Sequence, residues 1–197
     1  MKNNVKNKIF ELIKEYFYDE KLFHSDKVSV GFPCYDHNEI ISALDSLLDL
    51  RLKHLRMILV LYVGTKYGVA VNSGSSANLL AIQALIMSGR VKAGTEVILP
   101  AATFPTVVSP IIQNGLIPVF VDVDDKTYNI QPSSIEDAIN EKTGLIMVVH
   151  SLGCAAQMDE IELISKKYEI PIMEDCCEAH GATIFTKKVG SFGIIST

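Results

Sequence analysis

The sequence predicts an α/β fold, a mostly parallel sheet with helices on both faces. Three observations carry this expectation. From Gly68 onward short apolar runs alternate with segments of helical period. The runs are apolar throughout rather than at every second residue, as in strands covered on both faces. A hydrophobic fraction of 48% and a mean hydropathy of +0.25 suit such a sheet. Strand and helix alternation at this spacing predicts right-handed crossovers, and ligands of such sheets sit outside the carboxyl ends of the strands.

The elements follow in order. Residues 4–17 carry Ile9, Phe10, Leu12, Ile13, Tyr16 and Phe17 on one broad stripe, which predicts an amphipathic helix that docks on the body or on a partner. After a polar stretch with Gly31, Pro33 and Cys34, either Asp36 or Asn38 caps a second helix over 39–62, ended by Gly64. Strands are expected over 69–72, 96–99, 118–123, 145–150 and 171–174. Helices are expected between them over 76–87, 104–114, 133–140 and 158–167. Residues 189–197 read as the approach to one more strand, with no helix to cover it. The chain thus divides into a helical segment, 1–67, and a partial α/β domain, 68–197.

Composition excludes several classes of function. The net charge is −5, and the only basic clusters are the pairs Lys166-Lys167 and Lys187-Lys188, so an electrostatic footprint for nucleic acid is missing. The most apolar segment, 57–63, is far short of the roughly 20 residues a membrane span needs. Glu11, Lys14 and Glu15 interrupt any signal-like apolar stretch. Four cysteines, Cys34, Cys154, Cys176 and Cys177, show neither a CxxC pair nor metal-type spacing with the five histidines. A reduced, cytoplasmic chain without a metal site is expected, with Cys176 and Cys177 as small packing groups.

Three segments carry candidate chemistry. Asn72-Ser73-Gly74-Ser75-Ser76-Ala77 joins the first expected strand to a helix, which is the setting of an anion site; the plain alternative is a serine N-cap after a turn glycine. Glu174-Asp175 closes an apolar run. A carboxylate buried there needs a partner, so Asp175 suits a pyridinium nitrogen, a helix cap or a lysine equally well. Phe104, just past the second expected strand, is placed to lie against a planar ring or simply to fill the core. His150 and His180 end or follow strands and read as either crevice or hydrogen-bonded structural histidines.

In order along the chain, these segments resemble the DegT-type sugar aminotransferases, which are fold type I pyridoxal-phosphate enzymes. The resemblance rests on Val71-Asn72-Ser73-Gly74-Ser75-Ser76-Ala77, on Gly94-Thr95-Glu96-Val97-Ile98-Leu99-Pro100 with Thr103-Phe104, and on Pro118-Val119-Phe120-Val121-Asp122-Val123 with Thr127-Tyr128-Asn129-Ile130. His150-Ser151-Leu152-Gly153 and Glu174-Asp175 with His180-Gly181 complete it. It implies that Gly74, Ser75 and Ser76 hold the cofactor phosphate, that Phe104 stacks on the ring and that Asp175 pairs with its nitrogen. Glu178 stands where the aminotransferases usually carry a glutamine near the ring hydroxyl. The Cys176-Cys177 pair and Asn114-Gly115-Leu116-Ile117-Pro118 resemble most the branch containing deoxysugar 3-dehydratases, in which a histidine replaces the Schiff-base lysine.

The resemblance implies an incomplete large domain of that fold, without its small C-terminal domain. The anchoring residue is expected shortly after Val189-Gly190-Ser191-Phe192-Gly193 and beyond Thr197, so no catalytic residue is assigned, and Lys187 and Lys188 do not match that position. Residues 50–60 depart from the family pattern in a segment that shapes the sugar site. The implied function is transamination of a nucleotide-linked keto-sugar with an amino donor in deoxysugar, polysaccharide or cell-surface glycan synthesis. The chain alone is expected to bind pyridoxal phosphate weakly and not to turn over. The alternatives are a 4-keto-6-deoxysugar 3-dehydratase relative, or a non-catalytic remnant that pairs with a relative or with itself.

Overall fold

A computed structural model describes residues 7–12 and 51–197. The chain divides into two compact units between Ile58 and Leu59, and the fold and site below belong to the second, Leu59–Thr197. Residues 7–12 are helical, inside the helix expected over 4–17; the rest of that helix, the turn with Gly31 and Pro33, the caps Asp36 and Asn38, and residues 39–50 lie outside the described residues.

Helix α1 spans Arg51–Val63 and ends at Gly64, whose φ of +88° is the left-handed turn that a glycine makes at least cost. Then follow α2 (Gly74–Met87), β1 (Glu96–Pro100), α3 (Pro105–Gln113), β2 (Ile117–Val121), α4 (Pro132–Ala138), β3 (Thr143–Val149), α5 (Met158–Tyr168) and β4 (Ile172–Asp175). Two short strands, β5 (Thr183–Ile184) and β6 (Lys187–Lys188), pair as an antiparallel ribbon, and β7 (Ile195–Ser196) follows. The main sheet has the order β2-β1-β3-β4-β7, and every neighbouring pair is parallel. This is the α/β architecture the sequence predicts.

Alternation along the strands builds two cores. Leu145, Met147 and Val149 of β3 pack with Val97, Leu99 and Met173 under α2 and α3, against Ile82, Leu85, Val107 and Ile111. Ile146 and Val148 face the other way with Ile98 and Ile172, under α4 and α5, against Ile135, Met158 and Ile161. Burying one such aliphatic side chain stabilises by about 1.5–3 kcal/mol, which makes the central strands the anchor for everything at their ends. Where β3 begins, a Cβ on Gly144 would lie 2.6 Å from Thr95 Oγ1, so only glycine allows this approach, beside the register shift between Glu96 and Val97.

One expectation is corrected. Residues 69–72 are not a strand: no strand among the described residues runs beside them, Val69 and Val71 are exposed, and an unpaired extended run makes no ladder. The β5–β6 ribbon was not expected, because two-residue strands carry no readable alternation. The approach over 189–197 does deliver a strand, β7, at the edge beside β4. No helix among the described residues is long and apolar enough to cross a membrane.

Candidate functional site

The carboxyl ends of β1, β3 and β4 meet the amino ends of α2 and α3. Ser73 caps α2: its Oγ accepts from the Ser76 N–H at 3.1 Å, and its carbonyl takes the Ala77 N–H at 3.0 Å. The serine N-cap reading is the observed one, and the N–H groups of Gly74 and Ser75 keep no acceptor among the described residues. A free pair of amides at the positive end of a helix attracts an anion. Gly74 lies over the end of β4; a Cβ placed there would sit 3.8 Å from Cys177 Sγ.

Asp175 ends β4 on the α2 face and is 6% exposed. Its Oδ2 accepts from Asn78 Nδ2 at 2.8 Å and its Oδ1 from the Cys177 N–H at 3.1 Å. No lysine, arginine or histidine pairs with it among the described residues. A buried carboxylate without a cation is costly unless one arrives. The lysine-paired reading of Asp175 thus finds no partner among the described residues, while its Oδ1 does hold the turn that follows β4, at Cys177.

The amide of Asn78, which sequence reasoning missed, joins four segments. It is 2% exposed on the first turns of α2. Besides Asp175 it donates to the Thr106 carbonyl at 3.3 Å and accepts from Thr197 Oγ1 at 2.7 Å. Thr106 is open to it for a covalent reason: four residues on stands Pro110, which has no N–H to close that turn of α3. Pro110 was the signal in the sequence, since a proline inside a helix frees the carbonyl four residues back.

The other expected residues fall around this centre. Phe104 precedes Pro105 at the start of α3 and is 65% exposed, so it is a surface ring and not a core filler. Beside it Thr103 Oγ1 is buried with no partner among the described residues. Glu178 is exposed, and its Oε2 accepts the N–H of Leu152, a residue held at φ +52° in the turn Ser151–Gly153 after β3. It stands at the same sheet edge, with a local structural task.

Glu174, one residue before Asp175, turns to the opposite face and is fully buried. Its Oε2 takes the Gly190 N–H at 2.7 Å and faces His150 Nε2 at 3.1 Å; its Oε1 takes the N–H groups of Phe192 and Gly193 at 2.8 and 2.6 Å. Burial is the largest influence and opposes its charge, but the bonds from His150, Gly193 and Gly190 together outweigh it and hold the carboxyl below its ordinary value. His150 Nδ1 accepts the Ala156 N–H at 3.1 Å, which puts the ring proton on Nε2, facing Glu174. His150 is accordingly a structural histidine, and His180 stacks on Tyr62 with centroids 5.7 Å apart.

His150, Glu174 and Cys176 bring ligand-type atoms within 4.8 Å of one another. The His150 nitrogens and the Glu174 oxygens are already engaged with each other and with backbone. Burial, then the charges of Glu174, Asp175 and Cys177, pushes the Cys176 thiol far up, so it stays protonated. Lys187 pairs with Glu162 at 2.9 Å, and Lys188 bonds the Tyr62 carbonyl and lies over its ring; neither is a group of this site.

The donors present fit a phosphorylated heteroaromatic cation: open helix amides for the phosphate, an uncompensated carboxylate for a ring N–H, and an exposed aromatic face between them in sequence. The DegT/DnrJ/EryC1/StrS aminotransferase family matches residues 51–197. The lipopolysaccharide biosynthesis protein RfbH of Salmonella typhimurium is 50% identical over 140 residues, 69% of this chain and 32% of that protein. The solved aminotransferase from Psychrobacter cryohalolentis superposes with a TM-score of 0.75 at 32% identity, covering 86% of this chain and 44% of that one. The E. coli GDP-4-keto-6-deoxy-D-mannose-3-dehydratase, solved with bound hydrated pyridoxal phosphate, gives 0.73 at 36% identity, covering 86% of this chain and 46% of that one. The chain spans between a third and a half of the length of these relatives.

Proposed function

Because the chain belongs to the DegT/DnrJ/EryC1/StrS aminotransferase family, we propose that residues 59–197 form the part of an active site that holds pyridoxal phosphate by its phosphate and its ring nitrogen. The observation that carries this reading is Asp175, a buried carboxylate with two fixed neutral donors and no cation among the described residues. When bound, the cofactor supplies an electron sink for breaking bonds beside an amine-bearing carbon.

The chain's own residues have distinct tasks in this reading. Gly74 and Ser75 offer backbone N–H groups to the phosphate, and Ser76 adds a hydroxyl at the same helix end. Phe104 covers one face of the ring and keeps water from it. Asp175 holds the proton on the ring nitrogen, which keeps the ring electron-poor. Glu178 occupies the place near the ring hydroxyl.

The reaction we assign to the whole protein is transamination of a nucleotide-linked keto-sugar, with an amino compound as donor. A second reading, 3-dehydration of a 4-keto-6-deoxysugar, is favoured by the fold likeness to the dehydratase and by the Cys176-Cys177 pair. The protein works in the cytoplasm as a homo-oligomer in either reading.

The test is a titration of the 197-residue chain with pyridoxal phosphate, followed by absorbance and with borohydride reduction. Saturable binding that dialysis reverses, weakened about tenfold or more in Asp175→Asn, is expected. Equal binding by the variant, or a borohydride-stable adduct on Lys187 or Lys188, would overturn the assignment.

A further inference from the structure

We propose that Asn78, locked in place by Thr197, is a positioning residue that aims the Asp175 carboxylate at the ring nitrogen, and so makes the site choose a ring with a basic nitrogen over an isosteric ring without one. The inference rests on the assignment of Asp175 to that nitrogen and adds the device that makes the pairing selective.

The amide has one orientation. The Asp175 carboxylate and the Thr106 carbonyl can only accept, so the Asn78 NH2 group must face both, which leaves Oδ1 for the Thr197 hydroxyl. Three partners therefore determine the amide plane at 2% exposure, where no water competes. The consequence passes to Asp175. Asn78 Nδ2 holds Oδ2 and the Cys177 N–H holds Oδ1, so the carboxylate cannot rotate about its Cβ–Cγ bond. Each oxygen keeps a second lone pair in a direction fixed by the bond the first one makes.

Both donors to the carboxylate are neutral, so they orient its charge without cancelling it. A lysine in the place of Asn78 would orient Asp175 equally well and remove its demand for a cation. A leucine would fill the same space and leave the carboxylate free to turn. The amide supplies orientation with the charge left unspent, which is what selection of a protonated nitrogen needs.

The test compares three ligands on the 197-residue chain: pyridoxal phosphate, its 1-deaza analogue with C–H in place of the ring nitrogen, and inorganic phosphate. The wild-type chain is expected to prefer pyridoxal phosphate over the analogue by about tenfold or more. Asn78→Leu should bring the two within about twofold of each other, and Thr197→Val should reduce the preference severalfold. Affinity for inorganic phosphate should be the same in all three proteins, a readout that general loosening of the fold would move. Retention of the wild-type preference by Thr197→Val, or by a folded Asn78→Leu, overturns the proposal. Thr197→Val is partly exposed and decides the matter if Asn78→Leu does not fold. A wild-type chain that binds pyridoxal phosphate and its analogue equally overturns the assignment of Asp175 itself, and that failure appears before any variant is made.

Discussion

Glu174 and Asp175 follow each other at the end of β4, and the pleat sends their carboxylates to opposite faces of the sheet. Asp175 keeps an unmatched charge on the α2 face. Glu174 spends its charge on four donors from His150 and the loop 190–193. Glu174→Ala removes the acceptor for one buried and two partly buried backbone N–H groups and is expected to cost about 3–5 kcal/mol, read as a large drop in melting temperature. Its pH dependence follows from the lowered carboxyl. A depressed folded value means that the contribution is complete above the ordinary glutamate value of 4.5 and is lost as pH falls through the lowered one. Acid titration of the wild type should therefore release the 190–193 loop below pH 4.5, and the protein with Glu174→Gln should lack that step; an identical acid profile in both would contradict the account. The acidic pair was legible in the sequence as the end of an apolar strand, but the division of labour was not, since it depends on which face each residue takes.

At the scale of elements, helix ends and close approaches decide what the sheet can present. Helix α5 carries Asp159 and Glu160 in its first turn and Lys166 and Lys167 in its last, which complements the helix dipole. Its weak point is the C-cap, Glu169, at φ 56°, where a side chain is strained and glycine is not. Glu169→Gly is expected to stabilise by about 0.5–1 kcal/mol in chemical denaturation. Gly193→Ala should do the reverse, because the new Cβ would meet the Ile172 carbonyl at 2.6 Å and push β7 from β4. A loss of about 1–3 kcal/mol is expected, with weaker cofactor binding, since Thr197 next to β7 would no longer hold Asn78. Four strands, four helices and the approach to β7 were readable from apolar runs and helical period. The run 69–72 looked the same in sequence but lacks a neighbour, and a strand is a property of two segments. The Pro110, Thr106 and Asn78 link joins residues far apart in sequence and needed the fold to bring them together.

The unit Leu59–Thr197 is a sheet with helices on both faces and its candidate site at the carboxyl ends of the strands, and it still exposes large apolar groups. Leu61, Tyr67, Val69, Leu80, Met87 and Phe185 are each at least 47% exposed. Such a surface predicts concentration-dependent association of the 197-residue chain in sedimentation velocity, and a single ideal monomer across concentrations would contradict it. Cofactor binding and folding are linked: at a hundredfold excess over its dissociation constant, pyridoxal phosphate should add about 2.7 kcal/mol of stability. The family and the fold were legible in the sequence, because strand ends and helix starts are marked locally by apolar runs, Gly, Ser and Pro. The orienting amide was not, because its three partners come from three distant places along the chain. The central claim, that the start of α2 and the end of β4 are one cofactor site, is tested most directly by amide-resolved NMR during a pyridoxal phosphate titration. The Gly74, Ser75, Ser76 and Cys177 amides are expected to shift together and saturate at one dissociation constant. Shifts confined to other residues, with these four unmoved, would contradict it.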